Sequence, residues 1–325
     1  MKLARRQFLY LATGASALSA VSRIARAQAT YPTRPVRIIV PYAPGGGTDF
    51  AARVIGEYLS RGIGQQVIIE NKSGGSSMIG TETAAKAPPD GYTVLVTTDS
   101  IASVPHIVNF NTDYVKDLVP VILLARNPII LAVHPTLGVN SVAQLIRVAK
   151  MRPGMGYATA GVGSQQHFVA EWFAQIAGIK LDHVPYRGAG QAVNDLVAGH
   201  VQIAFLGPPA LIPQYKAGNV LLLAQSSAVR SPSLPEVPTF ADAGVDGLRV
   251  DLWLGAFVPA GTPPAVIARL NIEMGKALAD GATRDKLMQA TLEALGGTPE
   301  QFADLVRQDS EKYARLAKQL NIKAE

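Results

Sequence analysis

Cysteine is absent from all 325 residues. Its absence excludes disulfides, thiolate nucleophiles, zinc–thiolate sites and iron–sulfur clusters. Long apolar runs are also missing once the N-terminal segment is passed: no later stretch reaches the ~18 apolar residues of a membrane-spanning helix. Acidic residues are missing from the first 27 positions, which hold Lys2, Arg5, Arg6, Arg23 and Arg26. Taking these five from the 30 basic residues leaves 25 against 24 acidic ones, a net charge of +1. The basic balance therefore belongs largely to the N-terminal segment. The remainder gives no support for nucleic-acid binding, which needs a clustered basic face.

That N-terminal segment has a basic start, an apolar stretch from Phe8 to about Val21 and small-residue cleavage sites, the layout of a secretory signal. Residues 1–29 are read as such a signal, cleaved near Ala27 or Ala29. Arg5, Arg6, Gln7, Phe8 and Leu9 resemble the twin-arginine export motif. Ala4 and Tyr10 depart from it, and a general-secretory signal is the alternative. About 298 residues follow, enough for two lobes with separate cores, because single cores stop growing near ~250–300 residues.

Short β-branched runs then alternate with helical patterns. "VRIIVPY", "QVIIEN", "YTVLVTT", "VPVILLA" and "IILAVHP" read as strands, apolar on nearly every residue, as in a parallel sheet covered on both faces. Helices are expected over 48–61, 78–87, 141–151 and 164–177, and "DHVPY", "VQIAFL" and "VLLLAQ" continue the strands. This alternation predicts an α/β fold. Capping signals begin helices at Ser141, Thr262 and Thr298, and the chain from Pro263 onward reads as helical apart from a break at 295–299. Crossings at 125–128 and 245–251 divide the chain into a discontinuous first lobe, 30–126 plus 252–325, and a second lobe, 127–251.

Two glycine-rich loops carry the functional signal. In "VPYAPGGGTDFAAR", Gly45, Gly46 and Gly47 stand between a strand and a helix. No Gly-Lys-[Ser/Thr] follows, so this is not a P-loop, and G-x-G-x-x-G is absent too. What remains is a helix start whose unpaired N–H groups and dipole favour an anion, with Thr48 available as a cap and Asp49 able to bond the same N–H groups or another loop. "GYATAGVGSQQHFVAEWF" repeats the pattern, with Gly161 and Gly163 before the N-cap Ser164. Two such starts, one per lobe, are placed to face each other across a cleft at the carboxyl ends of the strands.

Other motifs are weaker. His167 and Glu171 share a helix face and are expected to pair; two ligands make no metal site, and no metal or cofactor is expected. An exported serine hydrolase using Ser164 with His167 is the alternative from another class, but the Gly-x-Ser-x-Gly elbow is lacking and no enzyme activity is expected. Trp253 and Tyr186 read as core.

Over nearly all of the chain after the signal, ordered blocks resemble one family. They are "YPTRPVRIIVPYAPGGGTDFAARVI", "GQQVIIENKSGGSSMIGTETAAKAPPDGYTVLV", "QLIRVAK", "YATAGVGSQQH", "HVPYRGAGQAVNDLVAGHVQIAF", "RSPSLPEVPTFADAG" and "VPAGTPPAVIARLN". The family is that of the Bug-type substrate-binding proteins, the extracytoplasmic solute receptors of tripartite tricarboxylate transporters. The resemblance implies a two-lobed periplasmic binding protein, type II-like, that closes as a monomer on a small organic acid and delivers it to membrane permease subunits. A ligand sensor for a signalling partner is the alternative use. Carried over by position, the ligand would meet Tyr42, Gly46, Gly47, Thr48 and Asp49, then Gly161, Gly163, Ser164, Gln165 and His167, with Thr98 and Ser100 added. Two positions depart from the family: Tyr42 stands where Phe is common, and Leu206 where an acidic residue is common. The second departure would make the pocket wall more apolar and favour an aromatic or less polar acid.

Overall fold

The computed structural model describes residues 31–108 and 113–322. The expected signal, residues 1–29, lies outside the described residues. The described residues form two β-sheets, each flanked by helices.

The first sheet has the order β11-β4-β10-β3-β1-β2. Its strands are β1 (Val36–Val40), β2 (Val67–Asn71), β3 (Thr93–Thr98), β4 (Leu118–Pro128), β10 (Asp251–Pro259) and β11 (Glu293–Ala294). β1 pairs in parallel with β2 and β3, whereas β10 runs antiparallel to both β3 and β4. The second sheet has the order β7-β6-β8-β5-β9. It contains β5 (Ile130–Val133), β6 (Met155–Thr159), β7 (Leu181–Pro185), β8 (Ile203–Leu206) and β9 (Leu221–Gln225). β6 is parallel to β7 and β8, and β5 is antiparallel to β8 and β9.

Both sheets are thus mixed, not parallel throughout. The continuous apolar runs of β4 and β5 reflect helices on both faces, which bury every second residue on each side; they do not report strand direction. β10, which the sequence reading did not mark as a strand, lies between β3 and β4.

β4 runs through Pro128, and the chain enters the second sheet at Ile130. It returns between β9 and β10. Ser226 straps the two passages together. Its N–H donates to Ile129 O (2.9 Å), its hydroxyl accepts from Ile129 N (2.8 Å), and its carbonyl accepts from Val250 N (2.8 Å).

The helices that matter for the site all begin at the carboxyl ends of strands. They are α1 (Gly47–Ile63) after β1, α4 (Gln165–Ala177) after β6, α5 (Ala189–Val197) after β7 and α6 (Pro208–Lys216) after β8. α2 (Met78–Ala85), α3 (Val142–Met151), α7 (Pro264–Ala279), α8 (Gly281–Gln289) and α9 (Pro299–Gln319) complete the layers. At α9 the expected cap is reciprocal: Thr298 accepts from Gln301 N and Gln301 returns to Thr298 N. At α3 it is not, because the Gln144 side chain accepts from Asn140 N, one residue earlier. At α7 the helix starts one residue late, because the Thr262 hydroxyl donates to Pro259 O instead of capping.

Candidate functional site

Four helix N-termini open on one cavity between the sheets, about 550 Å³ including its open mouth. α1 contributes Gly46, Gly47 and Thr48, α4 contributes Ser164, Gln165 and Gln166, α5 contributes Ala189, and α6 contributes Gly207 and Pro209. Each N-terminus turns the positive end of a helix dipole toward the cavity, and those of α1, α4 and α5 add backbone N–H groups, so the cavity is set for an anion. Its lining contains no Lys, Arg, His, Asp or Glu.

The α1 start explains the three glycines. Gly46 is the N-cap and offers no side chain to the first-turn donors. Thr48 therefore does not cap the helix; it sits inside the first turn, and Gly46 and Gly47 leave those N–H groups accessible. Side chains there would also meet the other lobe. A Cβ on Gly47 would lie 3.0 Å from Pro209 Cγ, and one on Gly46 3.8 Å from Ala189 Cβ. Gly45 has φ +91°, a conformation that glycine adopts without strain.

Asp49 is buried and does not line the cavity. Its carboxylate accepts from Gly45 N (3.1 Å), from Arg53 and from Asn71 Nδ2 (3.0 Å), and Asn71 also donates to Tyr42 O (3.1 Å). Burial pushes this carboxyl up, but the hydrogen bonds from Arg53, Gly45 and Asn71 outweigh it and hold it below the usual range. Asp49 thus shapes the glycine loop from behind.

Tyr42 and Thr98 line the cavity. The Tyr42 hydroxyl is bonded to Thr98 Oγ1 (2.8 Å) and to Ser100 Oγ, and Ser100 lies behind them, outside the lining. The extra hydroxyl of Tyr42 is therefore used within the wall.

In the second lobe Ser164 caps α4, its hydroxyl accepting from His167 N (3.3 Å) and donating to Gly161 O (2.7 Å). His167 Nδ1 accepts from Gly163 N (3.2 Å). The serine hydroxyl and the imidazole thus each bond backbone instead of each other, and the hydrolase arrangement is not built. Glu171 does not pair with His167 either; it accepts from the Tyr157 hydroxyl. The His167 ring stacks on His183 at 3.8 Å, and His183 Nε2 meets Thr159 Oγ1 at 2.6 Å. Burial lowers His167 to about 4, and burial together with His167 lowers His183 to about 3. Both rings are neutral supports beneath the loop. Gly161 and Gly163 are also outside the lining. They form the contact between lobes, with Ser103 Oγ donating to Gly163 O (2.6 Å).

Leu206 does not form the pocket wall. It is the last residue of β8, fully buried, and packs in the second-lobe core with Leu211 and Ile130. Its neighbour Gly207 lines the cavity instead. The apolar wall comes from residues that the sequence reading missed: Pro209, Ala189, Ala160, Leu252 and Leu254. Pro209 and Pro208 also delete two N–H donors from the start of α6. Asn127, at the end of β4, was missed as well. The signals for α5 and α6 were legible as glycine before a helix, in "YRGAG" and "FLGPP".

The lobes touch around this cavity. Ala43 N donates to Arg187 O (3.1 Å), and Gly190 packs against Pro44 O. Beneath the floor, Gln165 Nε2 donates to Asp251 O (3.0 Å) and to the Tyr313 hydroxyl (2.6 Å), which in turn donates to Asp99 Oδ2 (2.7 Å). Tyr313 belongs to α9 of the first lobe, so this buried chain joins the lobes. Burial pushes the Asp99 carboxyl up to about 8 against the opposing hydrogen bond from Tyr313.

Residues 51–322 match the family model described as "Tripartite tricarboxylate transporter family receptor". A Pseudomonas protein encoded in the tcbD-tcbE intergenic region is 37% identical over 97% of this chain and 94% of its own. BugT of Bordetella pertussis is 33% identical over 90% of this chain and 91% of its own. Among solved structures, an R. palustris protein with adipate matches with TM-score 0.86 and 35% identity, covering 90% of this chain and 99% of that one. MatC from Rhodopseudomonas palustris with bound malate matches with TM-score 0.84 and 27% identity, covering 88% and 99%.

Proposed function

Because the chain belongs to the tripartite tricarboxylate transporter receptor family, we propose that it is a periplasmic receptor that captures a small carboxylate between its lobes and hands it, as a monomer, to the permease subunits of such a transporter. The observation that supports this most is the cavity itself, where four helix starts converge with no cation in the wall. Glycine-cleared N–H groups of α1 and the first turn of α4 hold the carboxylate, with the Thr48 hydroxyl beside them. Tyr42, Thr98, Ser100, Asp49 and His167 hold the loops in shape. The lobes turn about the two passages strapped by Ser226, and the segment before residue 30 exports the chain and is removed. No bond of the ligand is made or broken.

The relatives solved with adipate and malate make organic acids the class to test. A thermal-shift screen of the mature protein against mono-, di-, tri- and aromatic carboxylates should reveal at least one that raises Tm. A ligand at 100 times its Kd stabilises by about 2.7 kcal/mol. If no carboxylate raises Tm while amines or sugars do, the reading fails.

A further inference from the structure

The floor of the cavity differs chemically from its helix starts. It is built from the two strands that lead between the lobes. Asn127 of β4 pairs in register with Leu252 of β10, and Gln165 reaches the Asp251 carbonyl beside them. Both amides are almost fully buried, Asn127 at 3% and Gln165 at 1% exposure. Asn127 Oδ1 and Gln165 Oε1 are both buried without any hydrogen-bond partner.

The orientation of Gln165 follows from its neighbours. Asp251 O is a pure acceptor, so the atom facing it must be the amide nitrogen. That nitrogen also donates to the Tyr313 hydroxyl, whose own proton goes to Asp99. Both donors of the amide are used, and only Oε1 remains. A buried acceptor left unpaired is costly, and such groups mark a missing partner.

A ligand whose carboxylate sits at the helix starts would extend toward this floor. There, between Leu252 and Leu254, it would meet the Gln165 amide with only its oxygen unpaired and the Asn127 amide with both its oxygen and its nitrogen unpaired. A second carboxylate would bring negative charge against Gln165 Oε1, with no Lys or Arg in the lining to offset its desolvation. An ammonium would lose water with no carboxylate in the lining to replace it. An uncharged donor satisfies the floor without either cost.

We propose that Gln165, with Asn127, selects a monocarboxylate whose far end carries an uncharged hydrogen-bond donor, a hydroxyl or a carboxamide, and that the floor disfavours dicarboxylates. This rests on the receptor reading above and narrows its ligand class. It also separates this chain from the relatives solved with adipate and malate.

Calorimetric titration of the mature protein with two matched series tests it: hexanoate, 6-hydroxyhexanoate, adipamate and adipate, and benzoate, 4-hydroxybenzoate, 4-carbamoylbenzoate and terephthalate. In at least one series the hydroxyl or carboxamide member should bind about tenfold or more tighter than both the methyl- or hydrogen-ended acid and the diacid, since a site with unpaired polar groups discriminates strongly against ligands that cannot pair them. In Gln165→Leu that preference should shrink to about twofold, whereas a purely structural change would weaken all members alike. Tighter binding of adipate or terephthalate than of their hydroxyl and carboxamide partners overturns the proposal. So does an unchanged preference in Gln165→Leu. The wild-type ranking stands even if that variant does not fold, and Asn127→Leu then supplies the second comparison. If no tested carboxylate binds while a non-acid does, the receptor reading falls, and this inference with it.

Discussion

Asp99 and the stacked histidines oppose each other in pH. Asp99 titrates at about 8 in the folded protein and near ~3.9 when unfolded, so between those values the native state holds a proton that the unfolded chain has lost. Its contribution to stability therefore falls as pH rises through that window, by up to about 1.4 kcal/mol per pH unit. His167 and His183 titrate at about 4 and about 3 when folded and near ~6.5 when unfolded. Below that value the unfolded chain takes up two protons that the native state refuses, and stability falls as pH drops. Two protons outweigh one, so Tm should peak near pH ~6.5 and decline on either side. Asp99→Asn should remove the decline between pH ~6.5 and ~8. Melting curves from pH 5 to 8 on both proteins check this; a wild-type Tm that rises toward pH 8 would contradict it.

At the scale of elements, β10 and α9 tie the sheet to the floor of the site. β10 carries Trp253, Leu252 and Leu254, and the Trp253 indole donates to Asp309 of α9 at 2.6 Å. Gly255 stands in the middle of the strand because the Phe302 ring of α9 lies directly on it. Phe302 is wedged between Trp253 and Phe257 and cannot swing away. Gly255→Ala should therefore destabilise by roughly 1–3 kcal/mol, as overpacking does. Thr298→Ala, which removes only the α9 cap, should cost about 1 kcal/mol. Urea unfolding of the two variants should rank them in that order.

β10 also shows where sequence reading stops. A glycine and a leading aspartate hid a central strand, because the reason for the glycine is a ring 47 residues away in sequence. The helix starts at Gly46 and Ser164 were legible, since glycine, hydroxyl and apolar period are local signals. Gly207 and Pro209 were legible as a helix start but not as a wall of the cavity, because a wall is made by whatever the fold brings opposite. Leu206 was misplaced for a related reason. One register step along β8 separates a core-facing side chain from the backbone that meets the cavity.

For the whole molecule, the contact between lobes depends on small residues. A Cβ on Gly190 would lie 2.6 Å from Pro44 O, across the junction that Ala43 N and Arg187 O bridge. Gly190→Val should hold the lobes apart. The ligand identified in the carboxylate screen should bind at least about tenfold more weakly, and Tm without ligand should fall as well, because the added side chain overpacks the junction. Small-angle scattering with saturating ligand should show contraction in the wild type and none in the variant.

The uncharged lining has a kinetic consequence. A pocket that holds an anion with peptide dipoles and hydroxyls exerts little long-range pull, because dipole fields fade faster with distance than that of an ion. Capture should then be unguided diffusion into the mouth, and its rate should change little between low and high salt. Sites steered by Lys or Arg fall steeply over the same range. Stopped-flow association at ~10 mM and ~500 mM NaCl should give rates within about threefold of each other, and a receptor of this build would collect its acid equally well in dilute and in saline surroundings.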